Sequence, residues 1–165
     1  MELYSKEIMK HFKNPKNVGR IKNADGIGEA GNLVCGDVMK IYIKVSDKNG
    51  KKIIKDIKFE TFGCVVAIAN TSLLTTLVKG KTLEEALKIK KEDLVKKLGK
   101  VPPIKIHCSV LATDALKEAI YDYLKRKNLP IPEDLEKEHK RIVENREKLE
   151  KEFANFVNME KEVLK

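Results

Sequence analysis

Val38-Met39-Lys40-Ile41-Tyr42-Ile43-Lys44-Val45-Ser46, then Asp47-Lys48-Asn49-Gly50, then the run from Ile53 to Phe62, is the stretch that decides the fold. Its first part alternates: Met39, Ile41, Ile43 and Val45 fall on one face, and Lys40, Tyr42 and Lys44 on the other, the period of a half-buried strand. Asn49-Gly50 is a hairpin turn signal. The chain returns as a second strand in which Ile57, Phe59 and Thr61 share a face. An antiparallel sheet with one solvated side follows.

Helices flank this hairpin. Downstream, Gly63 closes the strand, and the apolar stretch Cys64 to Val78 reads as a largely buried helix with Cys64 near its start. Thr82 with Glu85 forms a capping box, and the helix it opens is expected to run to about Leu98, where Gly99 stops it. Pro102-Pro103 forbids a helix through this point, and the three-and-four spacing resumes at Val110, Leu111, Ala115, Leu116, Ala119 and Ile120. Upstream, Tyr4, Ile8, Met9 and Phe12 fit a short helix capped by Ser5, ended by Asn14-Pro15-Lys16-Asn17-Val18-Gly19. The glycine-rich segment Asn23 to Gly36 reads as a loop that packs its backbone closely, without the spacing of a dinucleotide fingerprint.

After Asn128-Leu129-Pro130-Ile131-Pro132, a stiff break, the chain loses most of its apolar content. Leu135, Ile142, Leu149, Phe156 and Val163 recur every seven residues, but the intermediate positions are mostly charged. That favours a solvated helix lying along the domain or along a partner over a coiled coil. The division is a domain at 1–128 and a charged amphipathic helical extension at 129–165.

At 165 residues with three cysteines, the chain can bury a core without a disulfide framework. Met1 to Arg20 carries charges throughout and lacks the apolar run of a secretory signal. No segment approaches the roughly 18 apolar residues of a membrane span. A reducing cytoplasm is the expected address, where cysteines bind metal or do chemistry. The formal charge of +9 invites a nucleic-acid reading. The lysines, however, are dispersed among glutamates, and no aromatics alternate with them as a stacking platform would. Neither nucleic acid nor membrane is expected as a partner, whereas an acidic protein surface fits. Abundant Lys and Glu, with no Gln and no Trp, resemble a thermophile's surface.

The thiols lie at the edges of elements: Cys35-Gly36-Asp37 in the glycine segment, Phe62-Gly63-Cys64 at a strand-to-helix junction, and His107-Cys108-Ser109 before a helix. A helix N-terminus stabilises a thiolate. The spacings are too long for a zinc ribbon. Three thiolates that converge would suit zinc or an iron–sulfur cluster, with Asp37 or His107 as a harder fourth donor. Read alone, Cys108 is a small buried hydrophobe, Asp37 a turn-capping carboxylate, and Lys105 a solvated charge. His107 could instead orient a thiolate by hydrogen bonding, and Lys105 could lower a thiol pKa or guide sulfur to Cys108. Neighbouring His107 and Cys108 would point in different directions, and no oxyanion motif accompanies them, which argues against a Cys-His hydrolase.

Tyr4-Ser5 with His11-Phe12 and Asn14-Pro15-Lys16-Asn17-Val18-Gly19, Cys35-Gly36-Asp37-Val38-Met39-Lys40, Phe62-Gly63-Cys64, and Pro102-Pro103-Ile104-Lys105-Ile106-His107-Cys108-Ser109 run in order. Together, over about residues 3–128, they resemble the IscU/NifU-type iron–sulfur scaffold proteins. The resemblance implies an α+β fold of the SufE/IscU-like kind, a three-stranded antiparallel sheet packed with helices, here with the C-terminal helical extension added. It implies that Cys35, Cys64 and Cys108 ligate a [2Fe-2S] cluster completed by Asp37 or His107, that Zn2+ can take the same place, and that Cys108 accepts persulfide sulfur. It also implies a cysteine desulfurase, acceptor apoproteins, a ferredoxin or an Hsp70-type chaperone as partners, and a homodimer in which the Tyr4 segment takes part. Val65-Val66 depart from the small residues usual after Cys64, and the further domains of full NifU proteins are absent. The expected function is a scaffold, not a turnover enzyme. The rival is a zinc-bound sulfur acceptor or desulfurase activator that builds no cluster.

Overall fold

The computed structural model describes residues 3–32 and 36–163. Three antiparallel strands, β1 (Gly26–Asn32), β2 (Asp37–Lys48) and β3 (Lys51–Phe62), lie in chain order across one sheet. Asn49 and Gly50 both take positive φ, 53° and 76°, and close the β2–β3 hairpin as a turn whose twist suits the flanking strands. Met39, Ile41, Ile43, Ile57 and Phe59 all face the core, as the alternation requires. Ile54, three residues before Ile57, is buried as well. A bulge makes this fit, because Lys44 pairs with Asp56 while Val45 pairs with Ile54, so the inward face changes parity there. Tyr42 departs from its expected exposure and is 5% accessible. Its hydroxyl donates to Glu60 at 2.8 Å, and Arg20 holds the same carboxylate at 2.6 Å, so a polar tip permits the burial.

Six helices cover the other face and the edges: α1 (Lys6–Lys13), α2 (Val65–Val78), α3 (Leu83–Leu87), α4 (Lys91–Leu98), α5 (His107–Arg126) and α6 (Glu133–Val163). Ser5 caps α1 by accepting from the Ile8 amide at 3.1 Å, and its hydroxyl donates to the Leu98 carbonyl, which ties α1 to α4. The capping box of Thr82 and Glu85 is present, but the single helix expected to Leu98 is two. The chain leaves helical geometry after Leu87, Ile89 packs against the core, and Asp93 accepts from the Lys90 amide at 2.9 Å to start a second helix. Gly99, at φ 80°, ends it.

The glycine segment holds the larger correction. Its Gly26–Asn32 portion is strand β1, not a loop, paired from Gly26–Ile43 to Asn32–Asp37. A Cβ on Gly28 would stand 2.0 Å from the Ala115 carbonyl oxygen and 2.2 Å from the Ala119 nitrogen, and one on Gly26 would stand 2.2 Å from the Ala119 oxygen. Helix α5 therefore lies directly on the β1 backbone, an approach only glycine permits. Asp122 adds a bond from the Ile27 amide at 2.8 Å.

Helix α6 runs back along α5. Leu135 and Ile142 are buried against the domain, and Arg141 reaches Asp114 at 2.7 Å while Lys117 reaches Glu138 at 3.2 Å. This is the solvated helix along the domain that the charge pattern led us to expect, with its first half docked. The side chains of Phe156 and Val163, from the same seven-residue series, lie outside those described. No described helix is long and apolar enough to cross a membrane.

Candidate metal centre

Three elements end at one place. β2 begins with Asp37, β3 ends at Phe62 beside Gly63 and Cys64, and the first turn of α5 contains His107, Cys108 and Ser109. Because Val38 pairs with Phe62, Asp37 and Cys64 leave the sheet at the same end. The Pro102-Pro103 segment then turns through a single 3-10 turn, Pro103–Lys105, directly into α5. Asp37, Cys64 and Cys108 are brought together so that their oxygen and sulfur donor atoms lie within 4.8 Å of one another. Gly63 makes room for this: a Cβ there would stand 2.9 Å from Thr61 Oγ1, 3.0 Å from the Ala67 Cβ and 3.5 Å from the Asp37 carboxyl carbon.

The two thiols differ. Cys108 is fully buried, and its Sγ lies 3.4 Å from Cys64 Sγ and 3.5 Å from Asp37 Oδ2. Cys64, half-buried, precedes the first turn of α2. Its pKa is lowered to about 6, chiefly by the hydrogen bond from Cys108, against the opposing effects of burial and of the Asp37 charge. The Ala67 and Val66 amides also favour the thiolate as free N–H groups of a helix start, although no side-chain capping bond closes there. The arrangement is a thiolate, a thiol that donates to it, and a carboxylate positioned to take that thiol's proton. Two soft sulfurs and one hard oxygen form a donor set suited to zinc or iron.

The remaining expected residues fall as follows. Cys35 lies outside the described residues. His107 opens α5; its Nε2 is buried without a hydrogen-bond partner among the described residues, and it is not one of the three residues whose donor atoms gather. Lys105 sits in the 3-10 turn, partly exposed. Val66 is fully buried and Val65 packs on the core, so this pair anchors α2 in the core. Tyr4 packs against the core beside α1.

Other features escaped the sequence reading. Ser109 Oγ is buried and unpartnered among the described residues. The segments that carry the site expose an apolar rim: Phe62 is 86% exposed, Ile104 77%, Val38 41% and Ile106 38%. Exposed apolar groups grouped around a reactive site mark a surface that other proteins cover. In the sequence Phe62 looked like the end of a strand and Ile104 like part of a stiff connector, and nothing in the pattern signalled that both face solvent.

Residues 3–129 match the model of the NifU-like N terminal domain family. The chain is 50% identical over 145 residues to iron-sulfur cluster assembly scaffold protein IscU 1 of Archaeoglobus fulgidus, covering 84% of this chain and 92% of that one. It is 51% identical over 123 residues to the iron-sulfur cluster assembly scaffold protein IscU of Escherichia coli K12, covering 73% and 93%. Among solved structures, an iron-sulfur cluster assembly scaffold protein for the SUF system from Fervidobacterium islandicum superposes with a TM-score of 0.58 at 28% identity, over 72% of this chain and 96% of that one.

Proposed function

The chain belongs to the NifU-like N-terminal domain family, and from that premise we propose that it is a scaffold on which an iron–sulfur cluster is assembled and then passed to acceptor apoproteins. The observation that carries the reading is the convergence of Cys64, Cys108 and Asp37 within 4.8 Å at one end of the fold, framed by the apolar rim. Such a set can hold a metal cargo softly enough to give it up, because one donor is a carboxylate. We assign the scaffold domain to 1–128, the helical extension to 129–165, and the site of action to the cytoplasm. The cargo is a [2Fe-2S] cluster ligated by Cys35, Cys64 and Cys108 with Asp37 or His107, and Zn2+ can occupy the same donors. No chemical turnover of its own is assigned to the chain.

Sulfur arrives from a cysteine desulfurase as a persulfide. The Cys64 thiolate attacks the outer sulfur, the donor cysteine leaves as a thiolate, and Cys64 carries the new S–S bond. Cys108, whose proton passes to Asp37 and whose Sγ lies 3.4 Å from Cys64 Sγ, then attacks that same sulfur and releases Cys64 as a thiolate. Cys108 is thus the sulfur holder and Cys64 its accessible relay. Lys105 stands two residues before His107, where its charge favours the incoming persulfide anion. Reducing each sulfane sulfur to sulfide takes two electrons, which a ferredoxin supplies. An Hsp70-type chaperone at the Pro102–Lys105 segment and a homodimer through the Tyr4 segment complete the partners we assign.

Anaerobic incubation with iron, cysteine and a desulfurase tests the reading. A charge-transfer spectrum lost on replacing any one of Cys35, Cys64 and Cys108 is expected. A colourless zinc protein that only accelerates sulfur release would establish the activator instead. Asp37→Ala is expected to slow cluster transfer to an apo-ferredoxin by about tenfold or more, the scale of losing a tuning ligand; transfer at the parent rate would remove Asp37 from the release step.

A further inference from the structure

A sulfur carried on Cys108 is still a sulfane, two electrons above the sulfide that a cluster contains. Cys108 is fully buried, whereas Cys64 is half-buried. Solvent does not reach the Cys108 sulfur, so a thiol in solution does not meet it directly. Cys64 does meet it, at 3.4 Å between the two Sγ atoms. That contact is with the carbon-bound sulfur of Cys108, which becomes the inner sulfur once Cys108 carries a persulfide. The sulfur that is attacked decides the product. Attack on the outer sulfur hands it back to Cys64 and reverses the relay. Attack on the inner sulfur breaks the S–S bond and expels the outer atom as hydrosulfide.

We propose that Cys64 and Cys108 are the internal two-electron reductant of the persulfide, turning its sulfane sulfur into sulfide by closing on each other as a disulfide. This role rests on the scaffold reading above, in which Cys108 holds the sulfur. Cys64, as a thiolate, attacks Cys108 Sγ; the bond to the outer sulfur breaks, and its electron pair leaves with that atom as HS−. The proton on the leaving sulfur is the one that Asp37 took from Cys108, returned by a carboxyl oxygen 3.5 Å from Cys108 Sγ. Two thiols are oxidised to one disulfide while one sulfane sulfur is reduced to sulfide, so the electrons balance. The ferredoxin assigned above then supplies its two electrons at the disulfide, where the half-buried Cys64 is the sulfur within its reach.

The placement of the two residues suits this closure. An S–S bond is about 2.0 Å long, so the sulfurs approach by about 1.4 Å from their 3.4 Å contact. Cys64 lies at the junction between the end of β3 at Phe62 and the first turn of α2, outside both elements. The disulfide takes two of the three gathered donors out of use, because the thiolate is the metal ligand. Sulfide release and metal binding by this pair therefore alternate.

The full chain, freed of metal by chelation without oxygen, is loaded with persulfide by a cysteine desulfurase and cysteine, separated from both, and left without reductant. We expect about one sulfide released per persulfide lost, a protein lighter by two hydrogens than its dithiol form, and a Cys64–Cys108 link in the peptide map. Cys108→Ser, checked for unchanged thermal unfolding, is expected to load at Cys64 and to release sulfide at least about tenfold more slowly, because the neighbouring thiol is gone. Release at the parent rate in that variant overturns the proposal. So does a parent chain that takes up no persulfide, that keeps its persulfide intact, that releases sulfide with both thiols unoxidised, or that forms its disulfide with Cys35. Cluster formation from ferrous iron and inorganic sulfide keeps the two failures apart: a parent chain that forms this cluster after any of those results loses only the dithiol role, and one that forms none loses the scaffold reading as well.

Discussion

The two ends of helix α5 are built on opposite principles. From Asp114 onward, the polar groups that leave solvent find partners: Asp114 bonds Arg141, Glu118 bonds His139, and Asp122 accepts from the Ile27 amide. Burial raises the pKa of Asp114 and Glu118, and the Arg141 and His139 contacts oppose that rise. At the N-terminal end His107 Nε2 and Ser109 Oγ are buried without partners among the described residues, and two thiols and a carboxylate face one another. An unpartnered buried polar atom costs about 1–3 kcal/mol, so the near end is maintained at the expense of stability while the far end supplies it. Function occupies the end that packing alone would have arranged differently.

Breaking the far end should have the largest effect. Gly28→Val drives a side chain into the Ala115 carbonyl and the Ala119 nitrogen; the cost is expected to be about 3 kcal/mol or more, read as a lower urea midpoint with loss of the β1–α5 contact. The near end can be sharpened through its thiols. Cys64, with a pKa lowered to about 6, is expected to alkylate at a rate that is half-maximal near that pH in metal-free protein and falls below it as the thiolate is protonated. Cys108→Ala removes the donated hydrogen bond that is the largest cause of the shift, so the midpoint should move upward. A midpoint that stays in place would mean that the α2 amides, not Cys108, hold the thiolate. The smallest effect is expected at Ser109→Ala, which deletes a hydroxyl unpartnered among the described residues and should be neutral or stabilising by up to about 1 kcal/mol. Ser72→Ala gives the contrast, because Ser72 Oγ is bonded to both the Lys16 amide and His11. A clear destabilisation at Ser109 would break the distinction between the ends.

Much of the fold was legible locally. The β2–β3 hairpin, the Ser5 and Thr82 caps and the helix starts at Cys64 and Cys108 follow from short-range rules of period, capping and turn chemistry. β1 was not legible, because Gly26 and Gly28 carry strand geometry only in the presence of α5, and glycine in isolation argues for a loop. The break at Lys88–Lys90 escaped for a similar reason: the helical period continues through it, and what interrupts the helix is Ile89 turning toward a core formed by other segments. At the site, chain position placed each thiol at the edge of an element, which is a local property. That Cys64 and Cys108 stand 3.4 Å apart, and that they differ so much in burial, depends on where β3 and α5 end in space.

The sequence by itself determined the hairpin, the helical segments, the residue types that bear the chemistry and the resemblance that links them, since each is written within a few neighbouring residues. The tertiary structure alone decided that Gly26–Asn32 is a strand beneath α5, that Cys64 is the thiolate and Cys108 its buried donor, and that the first half of α6 docks along α5. These depend on contacts between residues far apart in the chain, and proximity in space is what sets burial, hydrogen bonding and charge stabilisation.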